Sequence, residues 1–405
     1  MDPGATTYGE SDPEAAELGA IADGALAIRG GIVVDVGPSE KIRDQYEAVE
    51  LIDARDHVVA PGLVDPHTHA VFAGSRHLEF GMRMAGASYL EILEAGGGIH
   101  STVGATREAT LDELVTQSLP RLASALEFGV TTMEIKSGYG LDESTEIKML
   151  EAVRELAGRQ PVRLVPTYLG AHVVPKEYKN RRDDYIDLMT TTVIPKVATT
   201  GLASACDVFL DEGAYDLDEA RTVLGAAAEN GLALKIHAGQ FTDRGGPQLI
   251  AELGGLSADH LEHVSDEGVS AMSEAGVVAN LLPGAAFSLR DHFPDGRRLA
   301  DAGVAVAVAT DDNPGSSRTE NLPLMASMGA ARMGLTCAEA WQAITVHAAR
   351  ALGAEDRAGT LEIGKPADLV LLAIPDFRAF LYHFGINHTA LVIVGGSIAV
   401  DRRRA

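Results

Sequence analysis

The residues best suited to chemistry are His67-Thr68-His69. In a strand, side chains at i and i+2 share a face, so the two imidazoles would point together. A pair so placed can grip one cation at about 2.0–2.1 Å per nitrogen. The segment before it, residues 61–66 (PGLVDP), reads as a turn feeding a buried strand, which sharpens an otherwise common pattern. A catalytic centre of this kind takes three or four protein ligands and keeps one position open. His237 and Asp311, each at the end of its own apolar run, complete the set His67, His69, His237 and Asp311. A water in the open position would have its pKa lowered toward neutrality and could attack a carbonyl carbon. His260 ends another run. It is either a further ligand or, the reading preferred here, a base that holds the water. Asp311 can carry a proton as well as a ligand bond. The run 206–212 contains no Lys to bridge two ions, so one ion is the economical reading. Lys136 reads as a support or a substrate contact, or as a buried ion pair with Glu134 or Asp142. Arg76, seven residues past His69, could hold a substrate carboxylate bidentately or be an ordinary surface arginine.

These groups need a scaffold, and a repeated pattern supplies one. Eight short apolar runs, 62–69, 131–138, 164–172, 206–212, 233–239, 258–263, 277–283 and 304–311, alternate with amphipathic stretches. Helical periodicity is clear over 111–127, 144–156, 183–197 and 217–230. Such alternation predicts βα units and a parallel sheet. Eight units close into a (β/α)8 barrel, an α/β fold whose active sites lie at the C-terminal rim of the strands. His67, His69, Lys136, His172, Glu212, His237, His260 and Asp311 all fall at that rim. Outside the barrel, residues 25–36 read as two strands around Gly30-Gly31. Residues 361–372 and 391–400 read as strands with glycine turns. They predict a small β-sandwich domain built from both chain ends, with boundaries at 1–57, 58–358 and 359–405. Gly96-Gly97-Gly98 and Gly138-Tyr139-Gly140 match neither a phosphate-binding loop nor a dinucleotide fingerprint, and read as turns that approach a small ligand.

Composition narrows the function. The chain has 405 residues with a formal net charge of −25, which disfavours nucleic acid and anionic membranes as partners. Residues 1–20 carry neither the basic nor the apolar segment of a secretion signal, and no run approaches the roughly 18 apolar residues of a membrane span. Cys206 and Cys337 are isolated thiols, which form no disulfide framework. A cytoplasmic, small-molecule enzyme is expected.

Read with their neighbours, these residues resemble the imidazolonepropionase family of the amidohydrolase superfamily, the enzymes of histidine breakdown. The resemblance rests on residues 61–70 (PGLVDPHTHA), 97–108 (GGIHSTVGATRE), 134–141 (EIKSGYGL), 168–178 (YLGAHVVPKEY), 235–240 (KIHAGQ), 257–263 (SADHLEH) and 310–317 (TDDNPGSS). It runs from about residue 20 to the C-terminus, and EIKSGYG and SADHLE are its most specific parts. It implies one zinc or iron ion per subunit held by His67, His69, His237 and Asp311, with His260 helping to activate water. It implies 4-imidazolone-5-propanoate as substrate, held by Arg76, Tyr139, His172, Gln240, Asn313, Gly315 and Ser316, and N-formimidoyl-L-glutamate as product. It also implies a homodimer, for which residues 322–333 and 391–400 offer apolar surface. The sequence departs from the family at Gly239, where an acidic residue commonly stands, at Gln240, which is Glu in some members, and within the NPG loop at Asp312 and Ser316. Residues 1–20 show no opening apolar strand. The alternatives are a related deaminase or other cyclic-amide hydrolase, which needs none of Arg76, the SGYG loop or the NPG loop, and a non-catalytic metal-binding scaffold, which would have lost rim ligands.

Overall fold

Strand Val130–Lys136 (VTTMEIK) shows how the barrel is built. It is buried along its whole length, as a strand covered on both faces must be. Alternation sends Met133 and Ile135 into the apolar layer under the helices. Thr132, Glu134 and Lys136, two apart, share the other face. The computed structural model describes residues 12–87, 91 and 97–403. Gly96 and the first eleven residues, both used in the sequence reading, lie outside the described residues.

The elements begin with a hairpin, β1 (Gly24–Arg29) and β2 (Ile32–Pro38), and with β3 (Val58–Pro61). The barrel strands follow: β4 (Leu63–Asp65), β5 (Val130–Lys136), β6 (Arg163–Ala171), β7 (Ala205–Leu210), β8 (Ala233–Ala238), β9 (Ser257–His260), β10 (Val278–Leu281) and β11 (Val306–Val308). They form one eight-stranded sheet in sequence order, each pair parallel. The seam between β11 and β4 closes just past the strand ends. There the Asp311 N–H donates to the His67 carbonyl (3.0 Å), and the His69 N–H donates to the Asp312 carbonyl (2.9 Å). Thr310 adds two bonds to the Asp65 carboxylate. The predicted (β/α)8 class is the observed one.

The helices return on the outside and are started by their own sequence. Leu111–Glu127 opens with a reciprocal Thr110/Glu113 cap, and Leu217–Glu229 with Asp216/Glu219. Each satisfies two otherwise orphaned donors.

Outside the barrel, β12 (Leu369–Leu372), β13 (Thr389–Val394) and β14 (Ser397–Asp401) form an antiparallel sheet with β3, in the order β14-β13-β12-β3. Residues 58–61, counted with the barrel in the sequence reading, therefore belong to this sheet. They pair with Leu369–Leu372, and Gly62 makes the turn into β4. A side chain at Gly62 would collide with Thr131, 2.1 Å from an added Cβ. Of the predicted 361–372 strand only Leu369–Leu372 forms a strand, with Pro366 in an isolated bridge to Ile32. The β1–β2 hairpin forms its own two-stranded sheet and meets the C-terminal segment through Val33, Lys365, Gly31 and Ala367 backbone bonds.

The apolar faces that motivated a homodimer are largely used within the chain. Leu322, Met325, Ala326 and Met333 of helix Leu322–Met333 are buried, as are Leu391, Val392 and Ile393. Among the described residues no helix is long and apolar enough to cross a membrane, and both cysteines are free.

Candidate active site

The inner face of the barrel is a column of charge capped by imidazoles. Lys136 Nζ lies 2.8 Å from Glu134, 2.6 Å from Asp207 and 3.5 Å from Asp259. Lys235 donates to Glu134 (2.8 Å) and to the Pro66 carbonyl (3.0 Å). All five charges are buried. Burial opposes the Lys136 charge, but Asp207, Glu134 and Asp259 outweigh it and hold the ammonium above its usual range. Of the readings left open for Lys136, the ion pair with Glu134 is present. Its other partners are Asp207 and Asp259, and its place is beneath the rim.

This layer orients the histidines above it. The His67 Nδ1–H donates to Asp259 Oδ2 at 2.6 Å. His237 Nδ1 lies 3.0 Å from Asp207 Oδ2 without hydrogen-bond geometry, and the His237 backbone N–H donates to the same carboxylate. A ligating imidazole is commonly fixed in this way through its second nitrogen. Sequence reasoning missed Asp207 and Asp259. Asp259 sits inside the SADHLEH segment, and Asp207 on β7 faces inward two residues before Phe209. An acidic residue within an otherwise apolar run was the available signal for both.

At the rim, His67 Nε2 lies 3.5 Å and His69 Nε2 3.7 Å from Asp311 Oδ1. Ligand atoms of His67, His69 and Asp311 fall within 4.8 Å of one another, and so do those of His67, His237 and His260. His67 Nε2 is buried without a hydrogen-bond partner. Such an orphan carries a desolvation cost of about 1–3 kcal/mol unless something fills the gap. Burial, with Lys136 and neighbouring imidazoles for His67 and His237, holds His67, His69 and His237 well below the usual imidazole range. Their lone pairs are therefore free for a cation. Burial pushes Asp311 up to about 7, against the pull of His260. Three neutral imidazoles and a carboxylate lacking a close counter-charge fit a divalent metal.

His260 differs. Its nearest carboxylate is Glu262, 3.8 Å from Nδ1, too far for a hydrogen bond. Burial works against its charge, yet Glu262, Asp311 and Asp259 together raise it above the usual range. His260 and Asp311 both adopt positive φ, +84° and +51°. These are strained positions for non-glycine residues, costing roughly 1–3 kcal/mol each, of the kind that gathers at functional sites.

The loops over the rim bring most of the remaining predicted residues together. Tyr139 packs 5.8 Å from the His69 ring and 5.4 Å from His172. His172 stacks on His69 at 5.3 Å. The His172 Nδ1–H donates to the Gly138 carbonyl (3.0 Å), and burial lowers its pKa to about 4, so Nε2 is an acceptor at neutral pH. Gly138 suits its φ of +106°, which strains a side chain, and an added Cβ would lie 2.9 Å from the Leu169 carbonyl. Glu146 pins the loop by accepting from the Gly138, Gly140 and Leu141 N–H groups. Arg76 donates to Glu79 (2.9 Å), which also accepts from Gly98 and Ser101. An added Cβ on Gly315 would meet the Arg76 guanidinium at 2.4 Å, so the arginine lies across the NPG loop. Asn313 folds that loop. Its Oδ1 accepts from the Gly315 and Ser316 N–H groups, and its Nδ2 donates to the Asp311 carbonyl. Gln240 is buried in the loop after β8.

Glu212, read as a rim residue, is exposed. The buried carboxylate there is Asp211, which accepts from the Phe241 and Thr242 backbones and so anchors the Gln240 loop. β7 ends at Leu210, and beyond a strand end the alternation that pointed to Glu212 no longer holds.

The buried layer makes a testable demand on stability. Lys136→Met removes one ammonium from beside three carboxylates, and breaking a buried pair in this way costs about 3–5 kcal/mol. The urea midpoint is expected to fall accordingly; an unchanged midpoint would show that the charges do not support the barrel.

Comparison with known proteins agrees with this geometry. Residues 58–398 match the amidohydrolase family. The imidazolonepropionase of Geobacillus kaustophilus (strain HTA426) is 48% identical over 389 residues, 95% of this chain and 92% of that protein. Those of Brevibacillus brevis (strain 47) and Myxococcus xanthus (strain DK1622) are both 46% identical, covering 96% and 93% of this chain and 92% and 90% of theirs. Among solved structures, a zinc-bound adenosine deaminase from Xanthomonas campestris superposes with a TM-score of 0.73 at 19% identity, covering 95% of this chain and 89% of that one. A 5-methylcytosine deaminase from Klebsiella pneumoniae gives 0.73 at 16%, covering 93% and 94%. At such identity these two speak for the fold alone. The family match across the barrel and the identity across nearly the whole length place this chain in the amidohydrolase family, among the imidazolonepropionases.

Proposed function

We propose that this protein hydrolyses the ring amide of 4-imidazolone-5-propanoate to N-formimidoyl-L-glutamate. The observation that carries the reading is the rim cluster: His67, His69, His237 and Asp311 gather beside Tyr139 and His172, in a chain 48% identical to an imidazolonepropionase. His67, His69, His237 and Asp311 would hold one zinc or iron ion, since nitrogen and oxygen donors suit both. When bound, the ion polarises the ring carbonyl and makes a water nucleophilic at neutral pH.

The chain's own residues do the rest. His260 takes the proton from water as the oxygen–carbon bond forms at the ring carbonyl. Asp311 takes the remaining proton of the added hydroxyl and passes it to the ring nitrogen as the carbon–nitrogen bond breaks, leaving a carboxylate and the formimidoyl amine, and His260 gives its proton up to solvent. His172 Nε2 accepts from a ring N–H, and Tyr139 packs against the ring. Arg76, held by Glu79, pairs with the propanoate. Gln240, Gly315 and Ser316 line the substrate's space, and Asn313 holds the last two in place.

The test is ultraviolet monitoring of imidazolone-propanoate loss by metal-replete protein, beside a panel of purines, cytosine and hydantoins. Turnover of a panel member with none of the imidazolone would reverse the assignment. Arg76→Ala is expected to raise KM about tenfold or more with kcat nearly kept, the signature of binding that is equal in ground and transition states. A substrate lacking the propanoate should react alike with both proteins. An unchanged KM for the natural substrate would move the carboxylate elsewhere. Sedimentation across protein concentrations tests the homodimer implied by the family.

A further inference from the structure

His263, Asp291 and His292 form a second cluster, apart from the rim site. Their ligand atoms lie within 4.8 Å of one another. The His263 and His292 rings meet edge to face with centroids 4.5 Å apart. His263 and His292 are exposed and Asp291 is half-buried.

The hydrogen bonds of His292 define what this cluster can take. His292 Nε2 lies 2.7 Å from the Glu262 carbonyl. A carbonyl only accepts, so Nε2 must carry a hydrogen. In the neutral ring Nδ1 then presents a lone pair, and it faces Asp291 Oδ1 at 2.9 Å. Two acceptors at that distance repel unless a cation lies between them, either a proton on the ring or a metal ion. A ligating histidine that donates its second N–H to a backbone carbonyl is the usual arrangement at metal sites. His263 brings a third donor from the neighbouring loop. We propose that His263, Asp291 and His292 bind a second divalent transition cation of the zinc class. Two imidazoles and one carboxylate suit zinc far better than magnesium or calcium, which favour all-oxygen sites. The exposed side leaves a coordination position for water, so this site is weaker than the buried one. A bound ion would tie the loop after His260 to the loop after helix Pro283–Leu289.

The experiment starts from holoenzyme with its first site filled. Zn2+ is titrated in by calorimetry in a non-chelating buffer, with Mg2+ as control. Wild type is expected to take one further, weaker equivalent of Zn2+ and none of Mg2+, and to gain Tm as it does so. His263→Ala and the isosteric Asp291→Asn are each expected to weaken that binding at least about tenfold, the scale on which even outlying partners act, with turnover and the Tm before Zn2+ addition kept. Asp291→Asn carries the test alone if the alanine variant is unstable. No further equivalent in wild type, equal Mg2+ binding, or unchanged Zn2+ affinity in Asp291→Asn would each overturn the proposal.

Discussion

His67→Ala is expected to leave the protein without measurable turnover and with well under one equivalent of metal after dialysis. His67 is fully buried, and each of its nitrogens has a separate task. Nδ1 is fixed by Asp259 at 2.6 Å, and Nε2 is an unpartnered atom facing Asp311. His67 also belongs to both rim groupings able to hold an ion, the one with His69 and Asp311 and the one with His237 and His260. Its loss therefore breaks both of these groupings. Asp259→Asn is the graded companion: it keeps the ring but weakens its anchor, with about a 10–100-fold loss of metal affinity. Metal analysis by mass spectrometry, run beside the activity assay, reads both. A full equivalent of metal in His67→Ala would remove the residue from the ligand set.

His260→Ala separates the two roles that its position allows. If His260 is the base, kcat falls about 10²–10⁴-fold, the usual worth of a positioned proton acceptor. KM stays nearly constant, because the lost contact strengthens only in the transition state. The metal content should remain one equivalent. His260 stands as close to His67 and His237 as a ligand would, so metal content is the deciding measurement. Loss of metal together with activity would make His260 a ligand and assign the base elsewhere. Two features favour the base: no carboxylate braces its ring as Asp259 braces His67, and its surroundings favour protonation where those of His67, His69 and His237 oppose it.

The barrel was legible because its signal is local. Most of the runs carry a polar residue near their ends, and the eight runs correspond to the eight strands. The HxH spacing put His67 and His69 on one face without any knowledge of tertiary contacts. The layer below was less legible. Glu134, Lys136, Asp207, Lys235 and Asp259 come from four strands, and their pairing depends on register across the barrel, which no single segment encodes. Asp142, one proposed partner of Lys136, instead caps helix Glu143–Ala157 by accepting from the Thr145 N–H. Residues 58–61 were misplaced for a similar reason: their partner lies roughly 300 residues later, at Leu369–Leu372. The apolar character of helix Leu322–Met333 pointed to a surface, but composition alone does not say which layer covers it. The NPG loop was recognised by its residues, whereas Asn313's commitment to folding that loop follows only from the bonds it makes.

The seam of the barrel bears on how this chain is made. His67 and His69 leave the ribosome early, on a strand whose second neighbour arrives roughly 240 residues later with Asp311. Until then that strand has an open edge, and an unpaired edge invites association with other chains. The histidines emerge before their anchors Asp207 and Asp259 as well, so a nascent chain has an incomplete grip on any ion. The last βα unit thus completes two things in one step: it ends the exposure of the first strand, and it brings Asp311 to the histidine cluster. A chain released short of that unit would keep this open edge, a template for association with other chains.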